Sequence, residues 1–130
     1  MTDDTAVSQT LEEYYRAFST LNIREILPFL HEPALLIGPL GVIPLPTASA
    51  IEPIFGPVMD SLRARGYTRS ELDSPEVRML GGESALAIGI AIRYGADGVE
   101  MERAGISYLL RKTEDIWKIA VMVLHGAPVV

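Results

Sequence analysis

Ser84-Ala85-Leu86-Ala87-Ile88-Gly89-Ile90-Ala91-Ile92-Arg93-Tyr94 is the stretch that decides the fold. As a β-strand it sets Ala85, Ala87, Gly89 and Ala91 on one face and Leu86, Ile88, Ile90 and Ile92 on the other, because successive side chains point to opposite sides. Turn residues bound it, Gly81-Gly82-Glu83 before and Gly95-Ala96-Asp97-Gly98 after. Neither face is polar from Ala85 to Ile92. An antiparallel sheet with one wetted face alternates apolar and polar residues, so this strand calls for cover on both sides.

The same period-2 grammar extends in both directions. It predicts strands at Tyr67 to Leu80, Ser84 to Tyr94, Arg103 to Lys112 and Ile116 to Leu124, with Thr113-Glu114-Asp115 as the last turn. Separators this short permit hairpins, so the four strands form an antiparallel meander. Strict alternation in the last strand puts Trp117, Ile119, Val121, Val123 and His125 on one face. Ile116, Ala120, Met122 and Leu124 share the other, broken only by Lys118.

Upstream of Gly66 the period is helical. Val7, Leu11, Tyr14, Tyr15, Phe18 and Leu21 make the stripe of an amphipathic helix, with Asp4 or Thr5 placed to cap it. Asn22 reads as a second N-cap with Glu25 in capping-box position, and Ile26, Leu27 and Leu30 give this short helix its buried side before Pro33. Ala34 to Ile37 reads as a strand, and proline confines Val42 to Leu45 to a sheet edge. Ser49 and Glu52 suggest a capping box for a third helix running to about Ala64, kinked near Pro53 and Pro57, with Gly66 as its left-handed C-cap. Helices first and strands after define an α+β fold rather than βαβ units. The expectation is one domain over residues 1–130, a curved antiparallel or mixed sheet wrapped around three N-terminal helices.

Composition narrows the function classes. The 130 residues carry a formal net charge of −6 and a pI near 4.8, a balance that disfavours nucleic acid and anionic membrane surfaces as partners. Without cysteine there is no disulfide framework, thiolate metal site or cysteine nucleophile. Pro33 to Ile51 is uncharged and long enough to span a bilayer, but Pro33, Pro39, Pro44 and Pro46 would break the helical hydrogen bonds that lipid cannot replace. The acidic start lacks the basic and apolar regions of a secretory signal, and the expected location is the cytoplasm. His31 and His125 are too few and too far apart for a metal site, so none is expected. No GxxxxGK[ST], GxGxxG or GxSxG occurs, and no cofactor is implied.

This order of elements, with Leu11-Glu12-Glu13-Tyr14-Tyr15-Arg16-Ala17-Phe18, Ile26-Leu27-Pro28-Phe29-Leu30 and Asp115-Ile116-Trp117-Lys118-Ile119, resembles the nuclear transport factor 2-like superfamily. The nearest flavour is its polyketide cyclase-like (SnoaL-like) group. The resemblance covers nearly the whole chain and implies a cone-shaped α+β barrel of the cystatin-like type. Such barrels are usually dimeric, with an open end that accepts a small apolar molecule. Members include isomerases, dehydratases, epoxide hydrolases and cyclases, alongside domains with no catalysis, so the fold does not choose a reaction. In ketosteroid isomerase-like members a first-helix tyrosine, matched here by Tyr14, supplies an oxyanion hydrogen bond. Those members also carry a carboxylate base before a Pro-x-Gly at the end of the first strand. Here Gly38 precedes Pro39-Leu40-Gly41, so that base is absent and the isomerisation is not carried over.

His125 and Tyr14 are the candidate catalytic residues, an imidazole that titrates near neutrality and a phenol placed to donate. A rim histidine satisfied by backbone or water and a core tyrosine are the alternatives. Tyr15, Phe18, Tyr108, Trp117 and Arg103 are the expected pocket residues, with Arg103 otherwise part of a solvated edge. Three functions remain open: binding of a small, apolar or weakly polar molecule; a cofactor-free SnoaL-like isomerase, lyase or hydrolase using His125 and Tyr14; or a structural dimerisation module with a filled cone. The apolar outer face of the sheet predicts a homodimer built sheet to sheet.

Overall fold

A computed structural model describes residues 2–126. Two helices, α1 (Asp3–Phe18) and α2 (Ile23–Ile26), lead into strands β1 (Leu30–Gly38) and β2 (Gly41–Leu45), then helix α3 (Ile51–Ala64). Four strands complete the chain: β3 (Tyr67–Leu80), β4 (Ser84–Gly95), β5 (Glu100–Thr113) and β6 (Ile116–His125). All six strands form one open, curved sheet in the order β2-β1-β6-β5-β4-β3. Neighbours are antiparallel except β1 and β6, which run parallel, so the sheet is mixed. The fold is the expected α+β cone, with the sheet curled around the helices.

The core forms where α1 lies on the inner face of the sheet. Val7, Leu11, Tyr14, Tyr15 and Phe18 are buried along one side of α1, and they meet Ala85, Ala87, Ile106, Tyr108, Leu110, Ile119 and Met122 from the strands. Each such large side chain contributes roughly 1.5–3 kcal/mol of burial. Helix α1 runs nearest β3, and the small residues of β4 leave volume beneath its aromatic side. Gly89 has a reason of its own: a Cβ there would sit 2.9 Å from Leu72 Cδ1 and 3.0 Å from the Asp73 carbonyl.

Both edges are blunted against further pairing. Pro44 lies on β2, as the sequence predicts for an edge strand. On β3 the pairing slips between Asp73 and Glu76, where Ser74 has φ 51° and Pro75 follows. Gly66, at φ +80°, closes α3 in the left-handed region as expected.

The helix starts differ from the expectation. Thr2, not Asp4 or Thr5, occupies the N-cap of α1, because Thr5 Oγ1 is engaged with Thr2 Oγ1 at 2.7 Å and the Asp4 carboxylate accepts from Thr5 N. Asn22 does cap α2, accepting from Arg24 N at 3.1 Å. The capping box at Ser49 does not form. Ser49 lies in a 3₁₀ turn (Ala48–Ala50) and bonds Thr47 Oγ1, while Ala50 is the N-cap of α3. The Glu52 carboxylate points forward, beside Gly56, instead of back to the helix start.

One irregularity governs which residues face inward. Between Leu109–Val121 and Leu110–Ile119 the β5–β6 register shifts, leaving Ala120 as an extra residue in β6. A β-bulge of this kind bends the strand and changes the phase of everything beyond it. Trp117 and Ile119 face the helices before the bulge, and Met122 and Leu124 face them after it. Val121, Val123 and His125 therefore lie on the outer face, opposite to Trp117, which corrects the strict alternation expected from sequence.

Candidate functional site

A cavity of about 130 Å³ lies between the helices and the inner face of the sheet. Helix α1 supplies Tyr14, Tyr15 and Phe18, and α3 supplies Ile54, Phe55 and Val58. The sheet adds Leu36 from β1, Ser70 from β3, Ala91 and Arg93 from β4, Ile106 and Tyr108 from β5, and Met122 and Leu124 from β6. Val58 and Leu124 are 39% and 38% exposed, so the rim is apolar as well as the wall. Among the described residues the lining contains no carboxylate and no imidazole.

The polar atoms in this wall are few and specific. Tyr15 and Tyr108 share a hydrogen bond between their hydroxyls at 2.7 Å. Two hydroxyls in one bond leave a second O–H proton to offer. Tyr14 donates weakly to Met122 Sδ at 3.9 Å. Burial raises the pKa of all three phenols, that of Tyr15 to about 12 and those of Tyr14 and Tyr108 well above the ordinary phenol value. They are neutral donors at physiological pH, not bases. Their rings stack edge-on, with centroids 5.8–6.3 Å apart, a geometry that holds aromatic clusters rigid.

Among the described residues Arg93 supplies the cavity's one formal charge. It faces Glu102 across the β4–β5 ladder and donates from Nη1 to Glu102 Oε1 at 2.8 Å. Its guanidinium carbon stands 5.4 Å from the centroid of the Phe18 ring. Glu102 also meets Arg65, the C-cap of α3, at 3.6 Å.

The structure brings together Tyr14, Tyr15, Phe18 and Tyr108, but not the other expected residues. His125 is on the outer face, where Nδ1–H donates to the Gly126 carbonyl at 2.6 Å and Nε2 accepts from Ser107 Oγ at 2.9 Å. Gly105 makes room for that ring: any side chain there would collide with His125 and the Gly126 carbonyl. Arg103 is also turned away from the cavity, exposed and ion-paired with Glu100, because its position in β5 has the opposite parity to Ile106 and Tyr108. Trp117 is on the inner face but outside the cavity wall, level with Lys112, whose Nζ lies 6.0 Å from its ring and pairs with Asp3. Trp117 Nε1 is buried with no hydrogen-bond partner among the described residues. Sequence reasoning missed Arg93, although the signal was present, since Arg93 is the first charged residue on the Ala85–Ala91 face. Among the described residues no cluster of three or more His, Asp or Glu could hold a metal, and no helix is long and apolar enough to cross a membrane.

Solved structures with this architecture come from several bacteria. A protein of unknown function with a cystatin-like fold from Nostoc punctiforme superposes with a TM-score of 0.81 at 13% identity, over 98% of this chain and 93% of that one. An NTF2-like protein from Novosphingobium aromaticivorans gives 0.77 at 14% identity, over 98% and 84% of the two chains. A nuclear transport factor 2 (NTF2-like) superfamily protein from Salmonella enterica serovar Typhimurium gives 0.72 at 16% identity, over 98% and 92%. At such identities the likeness establishes the fold alone. Among curated proteins none matches the sequence. The model of the family described as "NTF2-like protein (DUF6841)" matches residues 3–127, and the chain belongs to that NTF2-like family.

Proposed function

We propose that this chain binds a small, largely apolar molecule in the cavity, as one half of a homodimer joined through the outer face of the sheet. The observation that carries the binding reading is the wall itself: aromatic and aliphatic side chains, neutral hydroxyl donors, and no group able to take up a proton. An apolar cavity of roughly 150 Å³ is enough to hold benzene. A cavity of about 130 Å³ therefore suits a single ring or a short branched chain. Catalysis by His125 and Tyr14 is disfavoured, since the two lie on opposite faces of the sheet and general acid–base work needs both within hydrogen-bond reach of one substrate. A filled structural module is disfavoured by the same open volume. The dimer is supported by the outer face, where Leu35, Ile37, Leu86, Ile88, Ile90, Leu109, Val121 and Val123 form a continuous, half-exposed apolar surface around the Ser107–His125 pair.

The test uses toluene as an apolar probe and thermal unfolding as the readout. Ligand that binds only the folded state stabilises it, by about 2.7 kcal/mol at 100 times its Kd. Toluene is expected to raise the Tm of the wild type and to leave that of Ala91→Leu unchanged, because the added carbons occupy the cavity. Equal responses from both proteins would overturn the reading. For the dimer, sedimentation at micromolar concentration is expected to give twice the chain mass.

A further inference from the structure

Resting on that reading, we infer that the cavity's ligand is a monocarboxylate of about benzoate size, its apolar body against the tyrosines and its carboxylate on Arg93. The argument begins with an inventory of donors and acceptors. Apart from Ser70, whose hydroxyl is bonded to that of Tyr67 at 2.6 Å, the strongly polar groups at the described wall are donors with capacity left over. The Tyr15–Tyr108 pair has a spare O–H, and among the described residues the Arg93 side chain makes one hydrogen bond, from Nη1. A guanidinium carries five N–H donors, so most of its fork is unspent. Among the described residues the cavity wall contributes no carboxylate to answer it. A complementary ligand is therefore rich in acceptors at one end.

Charge counting points the same way. Glu102 is one carboxylate between two guanidiniums, Arg93 at 2.8 Å and Arg65 at 3.6 Å, so the group carries one positive charge in excess. That favours a single negative charge over a neutral carbonyl and over a dianion. A carboxylate also matches the planar fork in a bidentate geometry, and its single charge equals the excess. Arg65 gives the exchange a natural course. When a ligand carboxylate takes Arg93, Glu102 keeps its second partner and is not left unpaired, the situation that makes broken ion pairs costly. The positive field at the cavity is felt by its neighbours, since Arg93 lowers the pKa of Tyr14, Tyr15 and Tyr108 against the larger effect of burial.

Isothermal titration of the full chain with benzoate, benzamide and toluene tests this directly. Benzoate is expected to bind at least tenfold tighter than benzamide. Arg93→Gln is expected to erase that preference while toluene still binds, and Arg93→Lys to restore part of it, because the charge returns without the fork. Glu102→Gln leaves Arg93 untouched and is expected to tighten benzoate several-fold by removing its competitor, so the inference stays testable even if the Arg93 variants fold poorly. Benzamide binding as tightly as benzoate, or an acid preference that survives Arg93→Gln, would overturn this inference and leave the apolar-pocket reading standing. If toluene, benzamide and benzoate all fail to bind, the pocket reading falls and this one with it.

Discussion

The two faces of β4 make opposite use of the same strand. On the inner face Ala85, Ala87, Gly89 and Ala91 are small: Ala85 and Ala87 are buried in the core, Leu72 and the Asp73 carbonyl of β3 close over Gly89, and Ala91 borders the cavity. On the outer face Leu86, Ile88 and Ile90 are large, yet within one chain they remain half-exposed. Side-chain size thus does not follow burial here. It follows who supplies the volume: the inner face receives it from the helices and β3, and the outer face carries its own. The contrast teaches that one apolar strand can be filled from outside on one face and by its own side chains on the other.

The largest expected effect lies inside. Ile119 is fully buried between sheet and helices, so Ile119→Ala should destabilise the protein by about 2–5 kcal/mol in urea unfolding. Ile88→Ala, on the other face, should cost the monomer under about 1.5 kcal/mol. Equal costs at the two positions would break the comparison. The next effect is alkaline. Tyr15 has its pKa raised from 10.0 to about 12 in the folded state. A raised pKa means stability that is complete below pH ~10 and is lost as pH climbs through the folded value, about 2.7 kcal/mol for two units. Unfolding followed by phenolate absorbance should show the half-buried Tyr94, its pKa raised by donation to Glu71, still ionising in the folded chain, whereas Tyr14, Tyr15 and Tyr108 ionise only as it opens. One smooth titration of all five tyrosines would contradict the buried cluster.

Ile88→Asp sharpens the outer side of the contrast. It should halve the sedimenting mass with little change in far-UV circular dichroism, since a charge on a mating face blocks association before it unfolds a monomer. The smallest effect concerns Gly38. A Cβ there would meet Leu124 at an ordinary 3.6 Å, so Gly38→Asp should shift stability by less than about 1 kcal/mol. It would also place a carboxylate beside the rim where this chain has none. A collapse of the fold on this substitution would mean the strand end is tighter than its spacing indicates.

Strand limits were legible because turn chemistry sits between them: the expected start and end of β3, and the start of β4 and β6, match the observed residues. Four of the five expected pocket or catalytic residues on α1 and β5, namely Tyr14, Tyr15, Phe18 and Tyr108, reach the cavity, since helical and strand periodicity fix their direction. Arg103, from the same strand, does not. What sequence could not announce was the extra residue at Ala120. Nothing in Ile119-Ala120-Val121 looks unlike a regular strand, and the slip is set by pairing with β5 and β1. That single unit of phase moved His125 across the sheet. The Ser49–Glu52 pattern misled for a related reason, because a local motif lost to the 3₁₀ turn that delivers the chain from β2 into α3.

Ala120 itself is idle in the ladder, but it separates two segments with different duties. Before it, Trp117 and Ile119 are buried in the core; after it, Met122 and Leu124 line the cavity. Removing the residue would return the strand to plain alternation without turning one of these side chains over, since the excess and the phase slip cancel. What would vanish is the bend. A chain shorter by one alanine would keep each of these side chains on its present face while straightening the strand that carries Met122 and Leu124 to the cavity.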